Sequence, residues 1–265
     1  MSPPPFQLVL NADDLGISPQ VNSAIFERMA HGKITSATLM TNGPAVTEAL
    51  RLLRHFPKCS FGVHLNLTYH RPLTRAPELQ PLLDTEGFMS GRAWQVKMTP
   101  PLRRAIFDEW CAQVGTLQAA GTVVSHLDSH HHVHCIPALF SLVKRLQRRF
   151  TIDAVRLGLE EYPASHSPVT RSLPSARWHP VHRFLPGTRV TDRFMALESF
   201  VRNHGSGSPQ PLERRWELMT HPGAPHDRDS PILDSDWVAQ LPFPVDRISY
   251  HQLGYHRPGR PPFTT

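Results

Sequence analysis

Thr122-Val123-Val124-Ser125-His126-Leu127-Asp128-Ser129-His130-His131-His132-Val133-His134 runs from an apolar strand pattern into five histidines and an aspartate. A strand near 122–128 delivers this cluster, and positions 126, 128, 130, 132 and 134 are all His or Asp. If the segment stays extended, alternation puts those five side chains on one face and turns His131 away from it. A packed core has no use for such a face, because unpaired imidazoles and carboxylates are costly to bury. A divalent metal does have a use for it: imidazole is the commonest metal-ligating side chain, and a carboxylate offsets part of the cation's charge. The competing reading is a His-rich polar surface loop.

Two further segments extend the pattern. Phe6-Gln7-Leu8-Val9-Leu10 is a short apolar run leading into Asn11-Ala12-Asp13-Asp14-Leu15-Gly16. Acids placed there sit at a strand's C-terminal end, where α/β folds put ligand-binding groups. One such aspartate could simply bond backbone amides in a turn. Two adjacent ones repel unless a cation or proton intervenes. In Phe61-Gly62-Val63-His64-Leu65-Asn66-Leu67-Thr68, His64 and Asn66 alternate with apolar neighbours. A lone His of this kind is an ordinary structural residue; its weight comes from the other two segments.

Between these segments, strand-like and helix-like runs alternate. Ser18-Pro19 offers an N-cap followed by Pro at the first helical position, and Gly32 a stop. Strands are expected near 34–41, in the 61–68 segment that carries His64, and near 153–158, and helices near 46–56, 102–119 and 137–149. Residues 69–100, rich in Pro, read as a long loop with some short structure. Repeated strand-then-helix units imply parallel strands with right-handed crossovers. Asp13, Asp14, His64, Asp128 and His130 then all fall at strand C-terminal ends, which share one face in a β/α barrel. Both a closed barrel and an open doubly wound sheet satisfy this pattern. After residue 160 it weakens: 162–186 and 205–211 are Pro-rich, strands are plausible near 216–221 and 246–251, and the tail 256–265 reads as mobile. No internal repeat is evident, and residues 1–265 read as one domain.

NADDLG at 11–16, the GVHLNLT segment at 62–68 and HLDSHHHVH at 126–134, in this order, resemble the YdjC-like carbohydrate deacetylases. That family includes chitooligosaccharide deacetylases and a hopanoid-associated, HpnK-like branch. Glu217-Leu218-Met219-Thr220-His221-Pro222-Gly223 resembles a fourth family segment, and Leu15 stands where the family more usually has Phe. The resemblance implies an irregular β/α barrel related to polysaccharide deacetylases. It implies a divalent metal held by Asp14, His64 and His130. By ligand softness this set favours zinc, while the family is commonly described with magnesium, so Mg2+ and Zn2+ both stay open.

Hydrolysis of an N-acetyl group needs a polarised carbonyl, an activated water and a proton for the leaving amine. Asp13 then serves best as general base, and His221 as the acid that protonates the amine, with a structural His before a Pro-Gly turn as the alternative for His221. His126 and Asp128 read as groups that orient the ligands by hydrogen bonds, and His132, His134 and Asn66 as substrate contacts or such supports. Arg156 on the next strand could hold Asp13 ionised, or be an ordinary solvated strand-end arginine. The expected activity is that of a carbohydrate N-deacetylase, a hydrolase of linear amide C–N bonds (EC 3.5.1.-), on a chitooligosaccharide-like substrate. An N-acetylglucosaminyl lipid of hopanoid synthesis is the same-class rival, and a non-catalytic metal- or nucleic-acid-binding protein the rival from another class. A glycosidase would need two carboxylates flanking a sugar and would have no need of His64 or His130.

Composition bounds these readings. The 265 residues suffice for one sizeable core, with 40% hydrophobic and 19% charged residues. No apolar run approaches the roughly 20 residues of a membrane span. Met1-Ser2-Pro3-Pro4-Pro5 shows no secretory pattern, and Cys59, Cys111 and Cys135 are odd in number, far apart and without a CxxC. Free thiols in a reducing, cytoplasmic setting are therefore expected. The net charge of +6 is largely scattered arginine, and Lys144–Arg149 looks like the solvated side of a helix. Nucleic acid is not an expected partner; a homodimer stays open.

Overall fold

A computed structural model of the chain describes residues 5–156, 187–204 and 214–254. The chain builds a curled, wholly parallel sheet from β1 (Phe6–Leu15), β2 (Ser36–Leu39), β3 (Ser60–Leu65), β4 (Val124–Ser129), β5 (Arg193–Ala196), β6 (Arg215–Thr220) and β7 (Val245–Ile248). The strand order is β4-β3-β2-β1-β6-β5, and β7 also pairs with β1. β6 runs along one edge of β1 from Gln7 to Ala12. β7 meets Phe6–Val9 and β2 meets Asn11–Leu15, so these two share the other edge. Past β4, single parallel bridges from Leu127 to Val155 and from Ala154 to Arg189 carry the curl toward β5. The result is an irregular β/α barrel.

The helices cover the outside: α1 (Pro19–Ala30), α2 (Val46–Leu52), α3 (Pro100–Ala119), α4 (Phe140–Phe150), α5 (Leu197–His204) and α6 (Asp229–Asp234). α1 begins as its sequence dictates, with Pro19 at the first position and Ser18 Oγ accepting from Val21 N at 3.2 Å. Even positions of β1 (Leu8, Leu10, Ala12) pack into the main core beneath the helices. Val9 packs instead with Ala154, Ile248, Tyr250 and Leu253 inside the barrel. Asn11 and Asp13 follow Val9 on the inner face, and Thr38, His64, His126, Asp128, Arg156 and Glu217 are likewise buried polar groups. Such an interior is polar where a structural barrel would be filled with branched apolar side chains.

Three expectations need correction. The strand at 124–129 does not continue through the His cluster. His130–Cys135 turns tightly, with His131 (φ 50°) and His132 (φ 54°) left-handed, so alternation ends at Ser129. The expected strand at 153–158 is reduced to the bridges at Ala154 and Val155 within the described residues. β5 and α5 occupy 193–204, where the sequence pattern suggested no element. Four strand residues are too few for a periodic signal. The Pro-rich stretches 162–186 and 205–211 and the tail 256–265 lie outside the described residues. Among the described residues, no helix is long and apolar enough to cross a membrane.

Candidate active site

Neighbouring residues of a regular strand face opposite sides, so Asp13 and Asp14 need a device to serve one site. The register between β1 and β2 shifts between Ala12 and Leu15, and Asp14 adopts a left-handed backbone, φ 65°. Such a bulge re-aims side chains, and pairing resumes beyond it at Leu15 with Leu39. A left-handed non-glycine residue costs on the order of 1–3 kcal/mol and persists where the surroundings over-determine it, typically at a functional site.

Asp14 meets two imidazoles. Its Oδ1 lies 3.3 Å from His64 Nε2 and 2.9 Å from His130 Nδ1, yet it is a buried oxygen with no hydrogen-bond partner. Behind His64, Asp128 Oδ1 sits 2.8 Å from Nδ1, and Thr38 Oγ1 donates to Asp128 Oδ2 at 2.9 Å. A proton on Nδ1 shared with Asp128 leaves the Nε2 lone pair facing Asp14, the arrangement in which carboxylates orient metal-binding histidines. The donor set fits a divalent ion. Ligands about 2.1 Å from a metal at tetrahedral or octahedral angles stand roughly 3.0–3.4 Å apart, close to the separations found here. Asp14, His64 and His130 form one of two groups whose ligand atoms lie within 4.8 Å of one another. Without an ion, His64 must carry the positive charge itself. Burial opposes this, but Asp128 and Asp13 outweigh it and push its pKa up to about 10.

The other group, Asp13, His64 and Asp128, already has a cation. Arg156 is fully buried, and its Nη1 donates to Asp13 Oδ2 at 2.7 Å while Nη2 donates to Asp13 Oδ1. Nη2 also lies 2.9 Å from Asp128 Oδ2, and Nε donates to Glu217 Oε1 at 2.8 Å. Burial alone would raise the Asp13 carboxyl, but the guanidinium on both its oxygens holds it below the usual range. Glu217 is the loser in this crowd: burial, with Asp128 and Asp13 nearby, pushes its pKa up to about 7 against the pull of Arg156. Tyr250 completes the cluster by donating its hydroxyl to Glu217 Oε2.

His221 follows β6 and is partly exposed, with Nε2 3.9 Å from Asp13 Oδ2 and Nδ1 3.9 Å from Asp229 Oδ2. Its backbone N–H donates to the same Asp229 oxygen at 2.8 Å. The remaining predicted residues are placed as follows. His126 is buried lower in the barrel, stacked on Tyr250 at 3.7 Å and bonded through Nδ1 to Ser125. His132 is edge-on to Phe194, whose ring lies under the Arg156 guanidinium, and burial beside Arg156 pushes its pKa down to about 3. His134 packs into the turn, with its N–H donating to Ser129 Oγ. Asn66 is spent on its own loop: Oδ1 accepts from Thr68 N and Tyr69 N, and Nδ2 donates to Tyr69 O and Asn42 Oδ1.

Sequence reading missed Thr38, Glu217 and Tyr250. A signal existed for Glu217: a carboxylate amid the apolar run Trp216-Glu217-Leu218-Met219 is stranded unless it meets a buried cation. Thr38 and Tyr250 carry no comparable mark.

A family model described as YdjC-like protein matches residues 7–253. A carbohydrate deacetylase of Brevibacillus brevis is 37% identical over 221 residues, 82% of this chain and 81% of that protein. A carbohydrate deacetylase of Geobacillus stearothermophilus is 38% identical over 56% of this chain and 58% of its own length. A chitooligosaccharide deacetylase of Citrobacter koseri is 38% identical over 51% and 53%. The chain thus spans little more than half the length of these last two relatives. Among solved structures, one from Enterococcus faecalis, named for cellobiose-phosphate cleavage, superposes with a TM-score of 0.70 over 94% of this chain and 99% of that one. At 21% identity this likeness speaks for the fold.

Proposed function

The chain belongs to the YdjC-like family, and on that premise we propose that it is a metal-dependent hydrolase removing acetyl groups from N-acetylated carbohydrates, with a chitooligosaccharide-like substrate. The observation that carries the proposal is the Asp14–His64–His130 cluster, in which two imidazole nitrogens converge on one buried Asp14 oxygen, beside an ionised Asp13 and a histidine. Asp14, His64 and His130 would hold the ion, and Asp128 would fix the tautomer of His64. When bound, a divalent ion polarises the amide carbonyl and makes water more acidic.

The rest is the work of side chains. Asp13 takes a proton from the attacking water; Arg156 keeps it ionised, and therefore able to accept, across the working pH range. His221 protonates the departing nitrogen. The products are acetate and a free amine. His132, buried edge-on to Phe194, is held neutral by burial and the nearby Arg156.

The test is acetate release from N-acetylglucosamine and its β-1,4-linked dimer and trimer, before and after chelation and with Zn2+ or Mg2+ restored. Release that stops on chelation and returns with metal is expected. No acetate from any of these sugars in metal-replete protein would overturn the proposal.

A further inference from the structure

Among the described residues, three large hydrophobic side chains are well exposed: Tyr69, Leu73 and Val123. Scattered exposed apolar groups are ordinary, but Tyr69, on the loop after β3, lies beside His130 of the candidate active site. Tyr69 is 48% exposed, and its ring centroid is 6.0 Å from that of His130. Among the described residues its hydroxyl has no protein partner.

The loop that carries it is fastened from below. Asn66 Oδ1 accepts from Tyr69 N at 3.1 Å, and Tyr69 O accepts from Asn66 Nδ2 at 2.6 Å and Asn42 Nδ2 at 3.1 Å. Leu73 N and Thr74 N donate to the two oxygens of the buried Glu109, at 3.0 and 2.8 Å. Between them His70 holds a left-handed backbone, φ 60°, tied through its carbonyl to Met89 N at 2.8 Å. An exposed apolar ring would ordinarily ride on a mobile loop. Here buried polar groups and a strained residue fix the backbone of the loop, and the ring lies against His70, centroids 4.3 Å apart, so the base that carries it is pre-organised.

We propose that Tyr69 is a saccharide-stacking subsite, receiving the C–H face of a pyranose ring whose acetamide lies at the Asp14–His64–His130 cluster, with its phenol free to bond a sugar hydroxyl. Carbohydrates present apolar C–H faces that match an aromatic ring, and tyrosine adds a polar handle at its edge. The inference rests on the deacetylase reading for the identity of the sugar, and it deepens that reading by naming what holds the substrate.

The experiment compares wild type with Tyr69→Ala and Tyr69→Trp by kinetics on the N-acetylglucosamine dimer and on p-nitrophenyl acetate, and by calorimetric titration of the dimer. An aromatic contact worth about 1 kcal/mol corresponds to roughly a fivefold change in affinity. Tyr69→Ala should raise KM and Kd for the dimer about fivefold, with a much smaller change in kcat, while Tyr69→Trp restores both. The ester, which has no sugar to stack, should be affected far less. Equal losses on dimer and ester would overturn the proposal, because Tyr69 would then be propping His130. Unchanged dimer binding in Tyr69→Ala would overturn it as well. Wild type that binds the dimer through Tyr69 but releases no acetate would uphold the subsite while refuting the deacetylase reading.

Discussion

Replacing Glu217 by glutamine removes one negative charge from a fully buried cluster while keeping its shape, and should change how stability depends on pH. Burial raises the Glu217 pKa from 4.5 to about 7. Folding therefore favours the protonated form, and the group's contribution is fully present below pH 4.5 and lost as pH rises through 7. That rise, at roughly 1.4 kcal/mol per pH unit, puts the loss at about 3 kcal/mol. Glutamine stays neutral throughout. Its carbonyl can still accept from Arg156 Nε, and its amide can donate to the Tyr250 oxygen. Relative to wild type, Glu217→Gln should thus gain about 3 kcal/mol between pH 4.5 and pH 8. Urea unfolding of metal-free protein, followed by tryptophan fluorescence at several pH values, reads this difference directly. Parallel stability curves for the two proteins across that window would refute the reasoning, and would mean that Arg156 keeps Glu217 ionised at no cost.

The proposed roles of the two adjacent aspartates separate by substitution: Asp14→Asn should lower metal content on elemental analysis, whereas Asp13→Asn should keep the metal and lose turnover by on the order of 10²–10⁴-fold. Nearly full activity in Asp13→Asn would mean that the base is another group. His221→Ala should lower kcat with metal content intact, and by less on an activated ester, whose leaving group needs less protonation; equal losses would argue against its acting as the acid. Gly62→Ala would bring a methyl group within 2.6 Å of the His126 ring and 2.7 Å of its carbonyl. It should cost about 1–3 kcal/mol, and an unchanged unfolding midpoint would show that β3 and β4 part more easily than their packing implies.

Much of the frame was legible because it rests on local rules. The apolar run before Asn11 and the Ser18-Pro19 cap mark β1 and α1, and strand–helix alternation implies parallel pairing. What escaped is non-local. β7 runs beside the first half of β1 while β2 takes the second half of the same edge, and no periodicity in either strand reports which edge it will meet. The closure past β4 rests on single bridges at Val155 and Arg189, too short to carry a pattern of their own.

The candidate site shows a sharper division. Residue types were readable; backbone conformation was not. Asp14, His131 and His132 are all left-handed, at positions with no glycine or asparagine to announce it. Strict alternation would have turned Asp14 away from Asp13 and brought His132 and His134 alongside His130. The bulge brings Asp14 in, and the turn after Ser129 takes the later histidines out. The same limit applies to charge. Arg156 could be suspected of pairing with Asp13, because one cation was needed near two acids. That it also faces Asp128 and Glu217 leaves three buried carboxylates around one guanidinium. Coulomb attraction to Arg156 cannot fully offset the burial of all three. The excess is relieved where the structure gives it outlets: by the positive charge at His64, which a divalent ion would replace if bound, and by the proton that Glu217 holds up to about pH 7.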